Sequence, residues 1–359
     1  MGHAVAPPFF SAEGLAAFLL APDAGERLAP LAGEDGVSGL GALVLDLRAT
    51  TEAEAQRVGA SLRERLPILP AVTIALSPTE DAPVRDGLAA CCDVDLASEE
   101  AVVALFEAIR PTPVAALAYA QLLRAAPRRT IHEALVAESF VYSTLQSGSE
   151  FERQLSAWRK SKGKRRKPSD PGPAVRMDRD RDRLEIHFVR AGKHNAFSRA
   201  MRDGLCEALQ LALADPSIEE VVLSGEGPSF CSGGDLDEFG SFPDPAEAHA
   251  IRTTRSPALL LSQLADRVRV EVHGACIGAG AELPAFTGRV VAEEDAFFQL
   301  PEVGLGLVPG AGGTASLPLR IGRQRTAWLG LSGERIDART ALDWGLVDEV
   351  RLGQHVDPA

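Results

Sequence analysis

The alternation of strand-like and helix-like segments predicts an α/β fold. Two apolar runs, GALVLDL (41–47) and AVTIALS (71–77), are typical of buried strands, and the segment between them, TEAEAQRVGASLRERL (51–66), has helical spacing. Later in the chain, LEIHFV (184–189) and RVRVEVHGA (267–275) alternate apolar and polar residues with the period of two that is typical of a half-buried strand. Strands that alternate with helices in this way favour the α/β class.

Length and composition indicate two domains joined by a linker. The chain has 359 residues, more than a typical single domain, and its 45% hydrophobic and 24% charged residues are ordinary for a globular protein. The segment SKGKRRKPSDPGP is basic at its start and then rich in Pro, Gly and Ser, which is typical of a flexible linker. We therefore predict a smaller α/β region that ends in helices at 1–160, a basic linker at 161–173 and a second domain at 174–359.

Charge and cysteine content argue against several classes of function. The net charge of −13 argues against broad nucleic-acid binding. Five cysteines without a CxxC spacing predict neither a disulfide framework nor a metal site. The sequence has no signal peptide, and no apolar run approaches the roughly 18 residues needed to span a bilayer. We therefore expect a cytoplasmic protein with no nucleic-acid, membrane or metal partner.

Two glutamates, Glu282 and Glu302, lie in apolar and glycine-rich surroundings between residues 273 and 313. An ionised carboxylate taken out of water costs several kcal/mol unless it is paired or changes its pKa, so both are candidate catalytic groups. A helix is predicted to begin near Ala279. Its first N–H groups lack intrahelical partners, and Glu282 lies one turn along on the same face, so a donor and a carboxylate converge.

A second loop repeats this arrangement. In GEGPSFCSGGDLDEF (225–239) a strand runs into a tight turn at Gly233 and Gly234, and a helix is predicted to open at Asp235. The N–H group of Gly234 is therefore a second candidate donor toward the same ligand oxygen.

These residues resemble the crotonase, or enoyl-CoA hydratase/isomerase, superfamily. FCSGGDL and GACIGAGAEL are similar to its two oxyanion-hole segments, HNAFS (194–198) to an earlier loop, and ALDWGLVDEV to a terminal segment, so that the resemblance covers about 183–350. Two positions depart from the family pattern, Pro284 after the second helix start and Thr287-Gly288 in place of Cys-Asp. The resemblance implies a crotonase-like ββα spiral in the C-terminal half, with 174–359 as the catalytic domain.

The resemblance also implies a site. Gly234 and Ala279 would form the oxyanion hole, Glu282 and Glu302 would be catalytic, and Arg190 and Lys193 would contact the phosphates of coenzyme A. An acyl-CoA thioester would be the substrate, with no other cofactor, and the chain would assemble as a homo-oligomer, a trimer or a hexamer.

Three functions fit these expectations. The first is hydration of a 2-enoyl-CoA, which uses both glutamates. Another acyl-CoA enolate reaction, by an isomerase, a dehydratase or a cofactor-free oxygenase, would use the same oxyanion hole. A non-catalytic acyl-CoA-binding protein is the third, favoured by a first half without glycine loops or buried glutamates.

The first half permits two interpretations. AACCDVDLASEEAVVALFEAI (89–109) resembles the strand and helix that follow the second oxyanion segment in crotonases, so this half is either a degenerate crotonase unit or an unrelated α/β domain. The helices predicted at 112–160 include an apolar stripe with Leu135 and Phe140. Crotonase chains usually continue with helices after the segment similar to GLVDEV, whereas nine residues follow Val350 here. We therefore expect the helices at 112–160 to pack over Glu282 and Glu302.

Overall fold

The computed structural model describes residues 7–30, 41–78, 87–162, 172–241 and 244–351. Strands and helices alternate through these ranges and form three sheets, so the prediction of an α/β fold is confirmed. The predicted linker at 161–173 lies largely outside the described residues, and the domain boundaries stay a prediction.

Before the linker, the chain forms a four-stranded parallel sheet with apolar residues on both faces. Leu43 and Leu45 pack into one hydrophobic cluster, whereas Val44 and Ile74 pack into another. Burial of both faces explains why the two predicted strands are continuous apolar runs. The strands lie in chain order, β1 (Phe9–Phe10), β2 (Ala42–Asp46), β3 (Val72–Leu76) and β4 (Val94–Leu96). The helices that accompany them are Ala12–Phe18, Ala24–Leu28, Glu52–Arg65 and Glu99–Ile109.

Three longer helices follow, Pro113–Ala125, Ile131–Gln146 and Ser149–Lys162. The second begins with a capping box, in which the Glu133 N–H donates to Thr130 Oγ1 at 3.3 Å and the Thr130 N–H donates to the Glu133 carboxylate at 2.8 Å. Its buried face differs from the predicted apolar stripe. Phe140 is 56% exposed, whereas Glu138 and two serines are buried. Phe140 therefore lies off the inner face of this helix, whereas Leu145 of the same stripe is buried on it.

After the linker, a six-stranded sheet and a three-stranded sheet carry the C-terminal half. The larger sheet consists of β5 (Val175–Asp180), β6 (Arg183–Phe188), β7 (Glu220–Gly225), β8 (Val268–Val272), β10 (Arg289–Glu293) and β13 (Glu349–Arg351), and the smaller sheet consists of β9 (Ala275–Ile277), β11 (Phe297–Gln299) and β12 (Ile336–Asp337). In the larger sheet the neighbouring strands run in the order β13-β10-β8-β7-β6-β5, parallel except for the hairpin of β5 and β6. The smaller sheet has the order β12-β11-β9. The helices are Arg199–Ala214, Pro245–Thr254, Pro257–Gln263, Ala279–Glu282, Gly313–Ile321, Arg323–Ser332 and Ala338–Trp344.

The helix predicted to open at Asp235 is absent, and that prediction is wrong. Residues 236–240 form successive turns whose N–H groups bond three residues back, as from Glu238 to the Asp235 carbonyl at 2.8 Å. Asp235 Oδ1 also accepts the N–H of Asp237, and its Oδ2 accepts a bond from Arg190 at 2.8 Å. This side chain therefore holds a turn in place of a first helical turn.

The two halves share a hydrophobic core. Val303, Leu307 and Leu331 from the second half belong to the same buried cluster as Val44 and Tyr119 from the first. The Tyr119 hydroxyl donates to the Thr326 carbonyl at 2.8 Å. The helix Ile131–Gln146 also packs against Pro245–Thr254 and Gly313–Ile321. The helices at 112–160 thus contact the second half within a single chain, whereas the sequence had left open whether they would do so in the same chain or from a neighbouring subunit.

Across the described ranges, no single helix has the length and apolar character needed to cross a bilayer. Glu99–Ile109 and Pro113–Arg128 pass that test only as a pair, with a bend of 111° between them.

Candidate active site

A cavity of about 240 Å³ lies where the two halves meet. The helix Ile131–Gln146 forms one wall, and Pro245–Thr254 forms another. The two glycine loops and the segments 197–202, 255–259 and 310–312 also contribute to the lining, which includes Gly234, Ala279, Glu282 and Glu302. Four of the six residues predicted for the site are therefore brought together in one cavity.

The two glycine loops lie against each other because neither has a side chain at the contact. Gly278 has φ of +51°, and a Cβ added to it would lie 3.6 Å from the Cα of Gly233 and would collide with Glu302 Oε1. Only glycine tolerates both the left-handed backbone and this approach. The helix Ala279–Glu282 begins directly after it, as predicted. Within the described residues, neither the Gly234 N–H nor the Ala279 N–H donates to a protein acceptor.

Glu282 is buried and held by backbone donors. Its Oε2 accepts the N–H of Ala311 at 2.8 Å and that of Gly313 at 2.7 Å, at the N-terminal end of the helix Gly313–Ile321. Burial raises the pKa of Glu282 well above its usual range, and the charges of Glu302 and Glu138 raise it further, while the two hydrogen bonds oppose the shift. The donors also fix the direction in which this carboxyl group points.

Glu302 has a different environment. It immediately precedes the 3₁₀ turn Val303–Leu305, and its Oε2 is shielded from solvent and has no hydrogen-bond partner in the described part of the chain. Burial raises the pKa of Glu302 to about 8, and the charge of Glu138 acts in the same direction. A shielded carboxyl oxygen without a donor favours the protonated form, because protonation removes the cost of an unsolvated charge.

A third carboxylate, Glu138, enters the same cavity from the first half and was not predicted. Its Oε1 accepts the N–H of Gly312 at 2.8 Å, and its Oε2 accepts the N–H of Thr314 at 2.9 Å and the Thr314 hydroxyl at 2.7 Å. Burial raises the pKa of Glu138 to about 7. Successive N–H groups from Ala311 to Thr314 thus bond alternately to Glu282 and Glu138. One short loop orients two acids that belong to different halves.

A weak sequence signal for Glu138 exists. Ile131, Leu135, Glu138, Tyr142 and Leu145 follow the spacing of a single helix face, so an acid occupies a position where the pattern calls for an apolar residue. Glu282 and Glu302 were selected because they are acids in apolar surroundings. Glu138 meets the same criterion when the residues on its helix face are compared.

Arg190 and Lys193 do not line the cavity. Arg190 Nη2 donates to Asp235 Oδ2 at 2.8 Å, and Lys193 Nζ lies 3.2 Å from the same oxygen. Both side chains are largely buried in this cluster, which neighbours Gly234. The structure therefore places them as supports of the first glycine loop and does not bring them to the other four residues.

Neither cysteine nucleophiles nor metal ligands are found in the described ranges. Cys231 is buried next to the first glycine loop, and burial raises the pKa of its thiol to about 12. A thiol with so high a pKa stays protonated and is a poor nucleophile. No cluster of His, Cys, Asp and Glu among the described residues has the geometry of a metal site.

Comparison with known proteins gives a consistent assignment. Residues 182–356 match the family described as enoyl-CoA hydratase/isomerase. The 2,3-dehydroadipyl-CoA hydratase of Escherichia coli (strain K12) is 36% identical over 168 residues, which are 46% of this chain and 65% of that protein. YhaR of Bacillus subtilis (strain 168), named for the enoyl-CoA hydratases/isomerases, is 34% identical over 49% of this chain and 68% of its own length. Mevalonyl-coenzyme A hydratase SIDH of Beauveria bassiana (strain ARSEF 2860) is 32% identical over 46% of this chain and 62% of its own. The chain thus spans about two thirds of the length of these relatives.

Solved structures match the same half. The enoyl-CoA hydratase of Thermoplasma volcanium GSS1 is 32% identical, with a TM-score of 0.46 over 50% of this chain and 72% of that one. The enoyl-CoA hydratase of Mycobacterium smegmatis is 33% identical, with a TM-score of 0.47 over 50% and 71%.

Proposed function

The chain belongs to the enoyl-CoA hydratase/isomerase family, and from that membership we propose that it adds water to a 2-enoyl-CoA thioester to form a 3-hydroxyacyl-CoA. It is an enzyme of this family. The named relatives act on different acyl groups, dehydroadipyl in one and mevalonyl in another, so the family leaves the acyl group open.

In this proposal the thioester carbonyl binds between the N–H groups of Gly234 and Ala279. Both residues line the cavity, and neither N–H group donates to a protein acceptor within the described residues, so both can donate to a carbonyl oxygen without first breaking another bond. Negative charge that develops on this oxygen is stabilised by fixed dipoles, and each such donor contributes roughly 10²- to 10³-fold in rate. Arg190 and Lys193 act indirectly, because they hold Asp235 next to the Gly234 donor.

The observation that carries the proposal is the unequal setting of Glu282 and Glu302 in one cavity. Two backbone N–H groups fix the direction of the Glu282 carboxyl group and oppose part of the rise in pKa that burial causes, which suits a group that orients or deprotonates water. Glu302 keeps a shielded oxygen without a donor, which suits a group that delivers a proton to the α-carbon. Two acids in different protonation states can add the elements of water across a double bond.

Substitution of the two glutamates tests the proposal. Glu302→Gln and Glu282→Gln should each lower kcat/KM about 10²- to 10⁴-fold, measured as loss of absorbance of the conjugated thioester. Glu150→Gln is the matched control, because Glu150 is also buried but accepts the N–H groups of Val114 and Ala115 away from the cavity. Hydration that survives Glu302→Gln would contradict the assigned role.

A second candidate is isomerisation of the double bond through the same enolate. Glu138 favours it, because a third acid in the cavity offers another position for moving a proton between the α- and γ-carbons. A 3-enoyl-CoA given to the enzyme distinguishes the two reactions. Appearance of the conjugated 2-enoyl thioester without 3-hydroxyacyl product would favour the isomerase.

We also propose that residues up to about 110 are a reduced crotonase-like unit. The supporting observation is that parallel strands with intervening helices lie in chain order in the first sheet, as β6, β7 and β8 do in the larger one.

The proposal also includes the domain limits 1–160 and 174–359, a homo-oligomer in the cytoplasm, and no cofactor beyond the coenzyme A of the substrate. Size-exclusion chromatography with light scattering tests the assembly, and activity after exhaustive dialysis against a chelator tests the cofactor.

A further inference from the structure

Arg252 lines the cavity on the helix Pro245–Thr254, beside Tyr142 of the opposite helix. Its guanidinium carbon lies 4.7 Å from the centre of the Tyr142 ring. Nε donates to Ser139 Oγ at 3.1 Å, and Nη2 donates to the Ser139 carbonyl at 3.4 Å and to Ser143 Oγ. Nη1 donates to no group among the described residues. The guanidinium is therefore fixed in orientation while one of its donor nitrogens is left open.

The other cavity arginines have acidic partners, whereas Arg252 has none among the described residues. Arg202 and Arg255 both pair with Asp203, at 2.8 Å and 3.0 Å. Arg199 lies 3.7 Å from a Glu238 oxygen. In the described part of the chain, no carboxylate oxygen lies within 4.0 Å of the Arg252 guanidinium. Of the cavity arginines, Arg252 is thus the one without an acidic counter-ion in the described part of the chain.

The nearby acid Glu138 does not fill this role. Its two oxygens already accept bonds from Gly312 and Thr314, and it lies beyond ion-pair distance from Arg252. Arg252 is only partly exposed, and partial burial of a cation without an ion-pair partner has a cost that an anion entering the cavity would offset. The open donor of Arg252 therefore matches a carboxylate supplied by a ligand.

The position of Arg252 indicates which part of a ligand would reach it. Tyr142 packs against Gly310, where an added Cβ would lie 2.6 Å from the ring, and the next residue, Ala311, donates to the Glu282 carboxylate. The Tyr142 ring therefore lies between Arg252 and the loop that orients Glu282 at the proposed reaction centre. A group several bonds from the reacting carbons, at the far end of the acyl chain, is the part that would extend this way.

We propose that Arg252, held by Ser139 and Ser143, binds a carboxylate at the far end of the acyl group, so that the substrate class is the CoA thioester of an unsaturated dicarboxylic acid. This inference rests on the proposed function for its account of where the thioester binds. It assigns Arg252 as a residue that determines specificity and takes no part in the chemical step.

The test compares acyl-CoA pairs of equal chain length, from four to eight carbons, that end in a carboxylate or in a methyl group. Wild-type kcat/KM should be at least about tenfold higher for the carboxylate at the best length, since hydrogen bonds to charged groups contribute about 1.5–3 kcal/mol. Arg252→Gln should lower kcat/KM roughly 10- to 100-fold for the dicarboxylic substrate and less than about threefold for the methyl-ended one. Arg252→Lys should restore part of the preference.

Arg325→Gln is the matched control. Arg325 also lies over an aromatic ring, at 5.4 Å from the centre of Trp344, but it is exposed and outside the cavity. Its substitution should leave the preference unchanged. Equal loss on both substrates in Arg252→Gln, together with a lower melting temperature, would show that Arg252 only joins two helices and would overturn the proposal.

Calorimetry separates this proposal from the proposed function. Saturated acyl-CoAs with and without the terminal carboxylate should bind the wild type with different affinity, whether or not any enoyl-CoA is hydrated. Equal affinities would contradict the proposed carboxylate subsite and would not bear on the proposed hydration reaction.

Thioesters of dephospho-CoA, which lack the 3′-phosphate, are a third set of ligands. If Arg252→Gln weakens binding of all CoA thioesters but not of dephospho-CoA ones, Arg252 binds the 3′-phosphate and the acyl assignment is wrong.

Discussion

Buried acids occur in both halves of the molecule, but their surroundings differ. In the first half, Asp93 is fully buried and its oxygens accept two bonds from Arg124, at 2.6 and 2.8 Å, and two from Thr73. In the cavity, Glu138 and Glu282 meet only N–H and hydroxyl groups, with no cation in ion-pair distance among the described residues. Asp93 has a full positive charge at ion-pair distance, whereas Glu282 and Glu138 are bonded only to N–H and hydroxyl groups, and the charge of Arg252 acts on Glu138 from beyond that distance.

This difference separates a structural acid from a chemically useful one. Arg124 gives Asp93 a charge partner at ion-pair distance, so this acid holds separate segments of the first half together. An acid that is buried without a cation has a raised pKa, and it can both give and take a proton under physiological conditions. The two halves thus show two outcomes of burying a carboxylate.

The largest effect is expected when the halves are separated. Residues 174–359 expressed alone would expose Val303, Leu307 and Leu331, which pack against the first half, and would lose Glu138. We expect an insoluble or inactive fragment, assayed by the yield of soluble protein and by hydration activity. Co-expression of residues 1–160 should restore both. A soluble, active fragment would show that the first half is dispensable for the site.

A smaller effect is expected when Asp93 loses its partner. Arg124→Met leaves Asp93 with Arg323 at 3.4 Å and with Thr73, so the free energy of unfolding should fall by about 3–5 kcal/mol in urea denaturation. Activity per folded molecule should not change, because Asp93 and Arg124 do not line the cavity. In the double variant with Asp93→Asn the loss should be smaller, since no charge is left unpaired. An equal loss in both variants would mean that packing, and not charge, is responsible.

The smallest effect concerns the dependence of stability on pH. Glu138 has a pKa raised to about 7 in the folded chain, so the wild type is not penalised below pH 4.5 and loses stability as pH rises through 7. In Glu138→Gln this loss is removed. The stability of the variant relative to the wild type should therefore rise by about 1–3 kcal/mol between pH 5 and pH 8.5.

Two further measurements sharpen this prediction. Removal of the Glu138 charge should lower the pKa values of Glu282 and Glu302, so the acid limb of the pH–rate profile should move to lower pH. Glu150→Gln serves again as the control and should change neither profile. A pH-independent difference between Glu138→Gln and the wild type would show that Glu138 only shapes the loop at 311–314.

The sequence predicted features that depend on short segments. Gly234, Ala279, Glu282 and Glu302 were selected from two glycine loops and their neighbours, and the structure places all four in one cavity. Strands and helices of the first half were also predicted from local patterns. Local backbone requirements can be recognised in the sequence, because a position with positive φ, such as Gly278 before Ala279, favours glycine.

Features that depend on distant partners were missed. The helix predicted at Asp235 fails because that side chain is held by Arg190, 45 residues earlier. Arg190 and Lys193, whose contact with the phosphates of coenzyme A stays a prediction, lie in the same ion-pair cluster and do not line the cavity. Glu138 was not recognised because its partners, Gly312 and Thr314, lie in the other half. No local pattern predicts which helix will cover a cavity. The polar residues on the inner face of Ile131–Gln146 can be interpreted only when the loop that they contact in the second half is known.

The alternating bonds from the loop at 311–314 also bear on how the chain folds. Glu138 and its donors are separated by 174 and 176 residues, among the longest separations bridged by a hydrogen bond in the described structure. Contacts of such sequence separation form slowly, because the intervening chain loses much of its freedom before the contact compensates for it. During synthesis, the helix that carries Glu138 is complete long before Gly312 leaves the ribosome. The cavity is therefore expected to be among the last parts of the molecule to form, after both sheets exist.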